Sequence, residues 1–463
     1  MPGSIELRKM RVLVVGLART GEATALFCAK RNAIVTATDV RPESELGEAP
    51  AKLREAGVML ELGGHVEKTY LAQDLIIPSP AVPADDPLLR KARSKGITIW
   101  SEIELAYRFL EGEMIGITGS NGKTTTTTLV HHILKTAGQK ALLAGNVGTP
   151  LISCVDQMNA ETVSVVELSS FQLELIDKFR PDIGVFLNLT PDHLDRHKTL
   201  EAYAAAKARI FEKQTELDAA VLNADDAPTV ALAPKKPQVF WFSRKKRVEQ
   251  GACVRGDDIV IVHKGKEEFV MKWAEIPLVG AHNLENVLAA VMAARLAEVD
   301  TATIGKGIRS FEGVEHRLEF VAQIAGVRYY NDSKATNVDA TLKALDAFPG
   351  RILVILGGKD KGSDYTVLQK PLREKAILAL LIGTASEKIE KQISGSVAME
   401  RAGTLERAVE IASHVAQAGN VVLLAPACAS FDQFENYEHR GRVFKELIRG
   451  LSQNSSANSS GKE

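Results

Sequence analysis

One segment constrains this chain more than any other. Residues Thr118 to Thr125 read Thr-Gly-Ser-Asn-Gly-Lys-Thr-Thr, entered through the apolar run Met114 to Thr118 and left through a helical run, Lys123 to Ala137. A strand feeding a glycine-bearing loop and then a helix turns backbone N–H groups inward as an anion nest, at the end where the helix dipole favours phosphate. Lys123 adds a point charge for the terminal phosphates, and the Thr124 hydroxyl is a magnesium ligand in such loops. Gly119, Ser120, Asn121, Gly122 and Thr125 complete the cradle, so an ATP-type triphosphate site is expected. The spacing departs from the full P-loop pattern at Ile117, where a glycine would stand. The rival reading is a plain glycine-rich turn.

The surrounding chain repeats the strand–helix alternation. Val12 to Val15, Ala33 to Thr38 and Leu75 to Ile77 read as buried strands, with helical stretches at Thr20 to Lys30 and Pro87 to Lys95. After the phosphate loop come strands at Val163 to Val166 and Ile183 to Leu187, and a β-rich insertion or sheet edge over Val239 to Met271. A last set, Val327 to Tyr330, Ile352 to Leu356, Ile377 to Ile382 and Val421 to Leu424, is again separated by helices. Such alternation predicts parallel sheets. With 463 residues, and roughly 150 per domain, three α/β units are expected. They span residues 1–111, 112–313 and 314–451. The Ser/Asn-rich end, 452–463, is expected to be disordered.

Composition narrows the function. The net charge of −1 offers no global field for nucleic acid or an anionic membrane, and the basic cluster Arg244 to Arg247 reads as a solvated loop. No apolar run approaches the roughly 18 residues that span a bilayer. Cys28, Cys154, Cys253 and Cys428 are scattered without a CxxC pair, which suits reduced packing residues in a cytoplasmic protein.

Two further features bear on chemistry. Glu167 closes a predicted strand and His193 lies just past another, so both fall at the strand ends where ligands of a parallel sheet gather. Next to the phosphate loop they make a metal-binding pair; taken singly, each reads as a surface or capping group. Gly16-Leu-Ala-Arg-Thr-Gly21 has dinucleotide-loop spacing with Ala18 in place of the middle glycine, and Asp39 ends the next strand. A dehydrogenase is the reading this raises. The Cβ of Ala18 crowds the close approach of a dinucleotide pyrophosphate, and a triphosphate loop does nothing for hydride transfer. A diphosphate-bearing substrate fits better.

Seven segments then occur in order: Thr118 to Thr124, Glu167-Leu-Ser-Ser-Phe-Gln172, Asp192-His193, His282-Asn283-Leu-Glu-Asn286, His316-Arg317, Asn331-Asp-Ser-Lys-Ala-Thr-Asn337 and Pro426-Ala-Cys-Ala-Ser430. Together they resemble the Mur ligases of peptidoglycan synthesis, from Gly16 to about Gly441, and the Asn331 to Asn337 run is the most specific piece. The resemblance implies that the three α/β units are an N-terminal Rossmann-like domain (1–111), a central P-loop ATPase-type domain (112–313) and a C-terminal Rossmann-like domain (314–451). The resemblance implies ATP-dependent addition of D-glutamate to UDP-N-acetylmuramoyl-L-alanine through an acyl phosphate, by a monomer. It implies that Gly16, Arg19, Thr20, Gly21, Asp39 and Arg41 hold the uridine diphosphate end, and that Asn146 and Gln172 contact the sugar-peptide part. Asn283 and Asn286 would meet adenine, and Arg317 and Asp332 the γ-phosphate and ribose. Two Mg²⁺ ions are implied, one on Thr124 and Glu167, the other on Glu167, His193 and a carbamate of Lys207. Lys334, Thr336, Lys361, Ser430 and Tyr437 would form the amino-acid site, and His193 or His316 would be the base. Tyr437 stands where the family more often has Phe, and Arg19 where a small or apolar residue is common. Other members of the family, folate polyglutamyl ligases and a non-catalytic ATP-binding protein are the alternatives.

Overall fold

The computed structural model describes residues 5–459 and contains three sheets. The first comprises β1 (Arg11–Val15), β2 (Ile34–Asp39), β3 (Met59–Leu62), β4 (Leu75–Pro78) and β5 (Thr98–Ile99), in the order β3-β2-β1-β4-β5, all parallel. Strand order reverses at β1, and Val15 stands opposite both Thr38 and Pro78. The Gly16 turn, Asp39 and Ser79 therefore leave the sheet together, in the crevice where open α/β sheets bind ligands.

The central sheet holds β6 (Glu113–Thr118), β7 (Ala141–Gly145), β8 (Val163–Glu167), β9 (Ile183–Phe186), β10 (Ala219–Asn223), β11 (Gln238–Ser243), β12 (Gly251–Arg255), β13 (Asp258–His263) and β14 (Lys266–Lys272). Its order is β14-β13-β12-β11-β10-β9-β6-β8-β7. The last three strands pair antiparallel and extend one edge, so the β-rich stretch is a sheet extension. Lys245, Lys246 and Arg247 are exposed there, as a solvated loop requires. Here the switch strand is β6: Ile117 lies opposite Glu167 and Thr118 opposite Phe186.

The C-terminal sheet runs β15 (Glu319–Ile324), β16 (Val327–Asn331), β17 (Ile352–Gly357), β18 (Ala376–Ile382), β19 (Met399–Gly403) and β20 (Val421–Leu424), in the order β15-β16-β20-β17-β18-β19. Only β15 is antiparallel. Alternate residues of β17 enter separate clusters, Val354 and Leu356 on one face, Leu353 and Ile355 on the other. Burial on both faces explains the unbroken apolar run, and each such side chain contributes about 1.5–3 kcal/mol.

The chain forms two compact units, 1–275 with 284–310, and 276–283 with 311–463. The first holds two sheets because one core runs through both, from Val12 and Val35 to Val166 and Ala220. Segment 276–283 belongs with the C-terminal sheet because Val279 packs on its core. The helix Tyr437–Ser459 runs past Ser452. Ser and Asn are weak helix formers, but extending an existing helix fixes only one residue per added hydrogen bond. Residues 460–463 lie outside the described residues.

Candidate active site

The phosphate loop is strapped to the turn that follows β9. Ser120 N–H donates to Asn188 O (2.9 Å) and Asn121 N–H to Asn188 Oδ1 (2.8 Å), while the Ser120 hydroxyl and Thr190 exchange bonds of 3.0 Å. Asn188 and Thr190 were invisible as site residues in the sequence, since nothing local says which loop they brace. Gly122 has φ +83° and Gly119 approaches Leu187 closely, so neither position takes a side chain without strain. The Lys123 ammonium folds across the loop, donating to Gly119 O (2.8 Å) and Ser120 O (2.9 Å). Thr124 is buried in the first helical turn.

Glu167 ends β8 beside this loop at 2% exposure. Its Oε1 accepts from Asn146 Nδ2 (2.9 Å), and its buried Oε2 has no hydrogen-bond partner. A buried carboxylate oxygen left unpaired is costly, and a cation satisfies it. Lys207, at 1% exposure, donates to Gly119 O (2.8 Å). Burial, reinforced by the charge of Lys123, pushes its pKa down to about 6. At neutral pH the amine is therefore mostly uncharged. His193 adopts φ +52°, stands edge-on to Phe171 (ring centroids 5.0 Å) and lies 3.5 Å from Asp192. Its side chain is half-exposed.

Among the described residues no three His, Cys, Asp or Glu side chains gather into a metal site. The expected set contains only two such residues, with a hydroxyl and an amine as the others. The orphaned Glu167 oxygen, the Thr124 hydroxyl and the neutral Lys207 amine fit magnesium chemistry if the amine becomes an anionic oxygen donor.

At the N-terminal crevice Asp39 is buried and fully engaged. Its Oδ2 accepts from Leu17 N–H (2.7 Å) and Arg41 Nη2 (2.8 Å), and its Oδ1 from Arg41 N–H (2.9 Å) and Nε (3.0 Å). The Arg41 guanidinium holds its carboxyl well below the usual range. Asp39 thus braces the Gly16 turn and aims Arg41, with little left for a ribose. A Cβ on Gly21 would sit 1.8 Å from Gly16 O, which makes the turn obligatory. Arg19 and Ala18 are exposed and Thr20 half-buried at the mouth. Gln172 Oε1 accepts from the backbone N–H of the N-cap Ser169 (3.0 Å), so that oxygen caps a helix.

In the C-terminal unit the segments after β16, β17 and β20 leave one sheet edge. Lys334 Nζ donates to the Tyr437 hydroxyl (3.2 Å) and lies 5.1 Å over its ring, so the extra hydroxyl gives the lysine a partner that Phe would not. Thr336 N–H donates to Lys334 O (2.8 Å). Lys359 and Ala429 exchange backbone bonds, bringing exposed Lys361 and buried Ser430 onto neighbouring turns. Arg317 and Asp332 flank the Leu318 N–H that donates to Asp332 Oδ1 (3.2 Å), and burial raises the Asp332 pKa to about 7. His316 is enclosed: Nδ1 faces Asn331 Nδ2 at 3.0 Å, Nε2 is buried, and burial lowers its pKa. In the same unit Asn283 Nδ2 donates to Val279 O (2.7 Å). Asn286, in the first unit, lies against Gly122.

All four cysteines are free and buried. Among the described residues no helix is long and apolar enough to cross a membrane.

Comparison with known proteins places names beside this geometry. Residues 10–101 match the family description "Mur ligase MurD-like, N-terminal domain", 117–294 "Mur ligase middle domain" and 316–428 "Mur ligase, glutamate ligase domain". The chain is 53% identical over 450 residues to a UDP-N-acetylmuramoylalanine–D-glutamate ligase of Koribacter versatilis, covering 97% of this chain and 99% of the relative. It is 52% identical over 447 residues to the protein of that name in Acidobacterium capsulatum, covering 96% and 97%. Among solved structures, MurF ligase of Thermotoga maritima in complex with ADP superposes with TM-score 0.58 at 17% identity, covering 97% of this chain and 98% of the other. UDP-N-acetylmuramate–alanine ligase MurC of the same organism gives 0.57 at 20% identity, covering 96% and 100%. These two show a shared fold.

Proposed function

The chain belongs to the Mur ligase family and is a ligase of peptidoglycan synthesis, and from that premise we propose that it joins D-glutamate to UDP-N-acetylmuramoyl-L-alanine with conversion of ATP to ADP and phosphate. The observation that carries the reading is full-length similarity, at 53% identity, to a relative of that name.

The residues supply what each step needs. An oxygen of the L-alanyl carboxylate attacks the γ-phosphorus, the bond to ADP breaks, and an acyl phosphate forms. The loop N–H groups and Lys123 bind the phosphates and spread charge in the transition state. Thr124 and Glu167 would hold one Mg²⁺, and Glu167, His193 and carbamylated Lys207 a second. Bound there, the metal supplies positive charge to the transferring phosphoryl oxygens. Asn283 and Asn286 serve the adenine, Arg317 and Asp332 the γ-phosphate and ribose.

Gly16, Arg19, Thr20, Gly21 and Arg41, with Asp39 behind them, take the uridine diphosphate, and Asn146 and Gln172 the sugar-peptide part. The D-glutamate amine then attacks the acyl carbon, phosphate leaves, and the nitrogen gives up a proton. Lys334, Thr336, Lys361, Ser430 and Tyr437 hold the two carboxylates of the incoming amino acid. His193, half-exposed, is open to a substrate amine, whereas His316 is walled in. A monomer in the cytoplasm meets these requirements.

The test is incubation with ATP, UDP-N-acetylmuramoyl-L-alanine and a panel of D- and L-amino acids. ADP release should depend on D-glutamate. Dependence on another amino acid, or on a folate, would transfer the chain to a different ligase, and nucleotide binding without substrate-dependent ADP would remove the enzymatic reading.

A further inference from the structure

The C-terminal unit contains a buried cation that the reaction as written does not use. Arg440, on the helix Tyr437–Ser459, is 0% exposed. Its Nε donates to Ser333 Oγ (3.0 Å), and its Nη2 to Ser333 O (2.9 Å) and Cys428 O (3.2 Å). Its Nη1 reaches Cys428 O (3.3 Å) and Ala429 O (3.4 Å). Among the described residues no carboxylate forms an ion pair with it. A buried arginine is ordinarily matched by an acid, because an unpaired charge in the interior is expensive. Burial lowers its pKa to about 10, so it stays charged at neutral pH.

What the guanidinium binds gives the cost a purpose. Ser333 precedes Lys334, Cys428 and Ala429 precede Ser430, and Arg440 itself sits one helical turn from Tyr437. The Ser333 hydroxyl also donates to Tyr437 O (2.8 Å), closing the ring of contacts. The turn it fastens needs fastening, since Ala427 has φ +58° without being glycine. Gly358, two residues before Asp360 and three before Lys361, lies under the same group: a Cβ there would meet Arg440 Nη1 at 3.2 Å and Ala429 O at 2.3 Å. A planar fork with donors on two edges binds two chain segments at once and ties both to its own helix, which a lysine ammonium does not.

We propose that Arg440 is a positioning residue for the amino-acid substrate: through its hydrogen bonds it holds Lys334, Ser430 and Tyr437 in one constellation. The inference rests on the reading that these residues bind D-glutamate.

The test uses the full chain with Arg440→Lys and Arg440→Met, measuring KM for each substrate separately together with melting temperature. The Lys variant should raise KM for D-glutamate about tenfold, and the Met variant more, with KM for ATP and for the UDP substrate within about twofold of wild type. Guanidinium ion added to Arg440→Ala should bring the D-glutamate KM partly back. An unchanged D-glutamate KM in Arg440→Lys overturns the proposal, and so does a parallel rise in all three constants. Failure of both variants to fold would leave only a structural role and overturn it equally. A wild-type enzyme that ignores D-glutamate would instead overturn the reading of the site, independently of Arg440.

Discussion

A carbon added to Gly122 would lie 2.1 Å from Oδ1 of Asn286, so the last glycine of the phosphate loop and a helix residue far along the chain share one space. With φ +83°, the position also disfavours any L side chain. Gly122→Ala would cost about 1–2 kcal/mol of backbone strain and displace the Asn286 amide. We expect affinity for a non-hydrolysable ATP analogue to fall about tenfold or more, read by calorimetric titration. Wild-type affinity would show that the loop tolerates the shift.

Lys123→Ala should nearly abolish ADP formation while leaving the melting profile close to wild type. The ammonium donates to loop carbonyls at 2.8 and 2.9 Å, a position from which it adds positive charge at the phosphates. Near-normal turnover would contradict the assignment of the phosphate site.

Burial and the charge of Lys123 favour the uncharged amine of Lys207, which donates to Gly119 O. An uncharged amine adds CO₂ to give an anionic carbamate and a proton, whereas an ammonium does not react. Lys207→Ala should therefore lose most activity and regain part of it when short carboxylic acids are added to stand in for the carbamate. Full activity in the variant, or no response to carbon dioxide depletion in the wild type, would take Lys207 out of the mechanism.

Lys361 is exposed on a turn that backbone bonds join to the Ser430 turn. Lys361→Met should raise KM for D-glutamate about tenfold, the scale of one lost charge-assisted bond, with KM for ATP nearly constant. A rise in the ATP constant instead would place this lysine on the nucleotide.

Glu102 is fully enclosed, with Oε1 accepting from Ile152 N–H (2.6 Å) and Oε2 unpartnered, and burial pushes its pKa up to about 7. Between the ordinary glutamate value and about 7 the folded state holds more protons than the unfolded chain. Stability therefore falls as pH rises through that window, and the full cost, on the order of 3 kcal/mol, is present above it. Glu102→Gln keeps the bond from Ile152 and removes the ionisation. The melting temperature of the variant relative to wild type should climb from pH 5 to pH 8; a constant difference would mean Glu102 does not titrate there.

The sequence by itself determined the parts whose physics is local. The strand–loop–helix at Thr118 to Thr136, the Gly16 turn and the strands that run apolar from end to end follow from backbone preference and burial on both faces. Their neighbours in the chain are enough to specify them. Tertiary structure alone decided the rest. Lys207 lies in an Ala-rich helix where a solvated lysine is the natural expectation, and only the fold brings it to Gly119, 88 residues away. Arg440 and Ser333 meet across 107 residues, and Asn188 braces Asn121 across 67. Glu167 reads as a strand-end acid until the register of β6 against β8 sets it beside the phosphate loop. For Lys207, Arg440 and Glu167 the deciding quantity is loss of water around a charged group, and that loss depends on which distant segment covers it, a fact carried by no local pattern of residues.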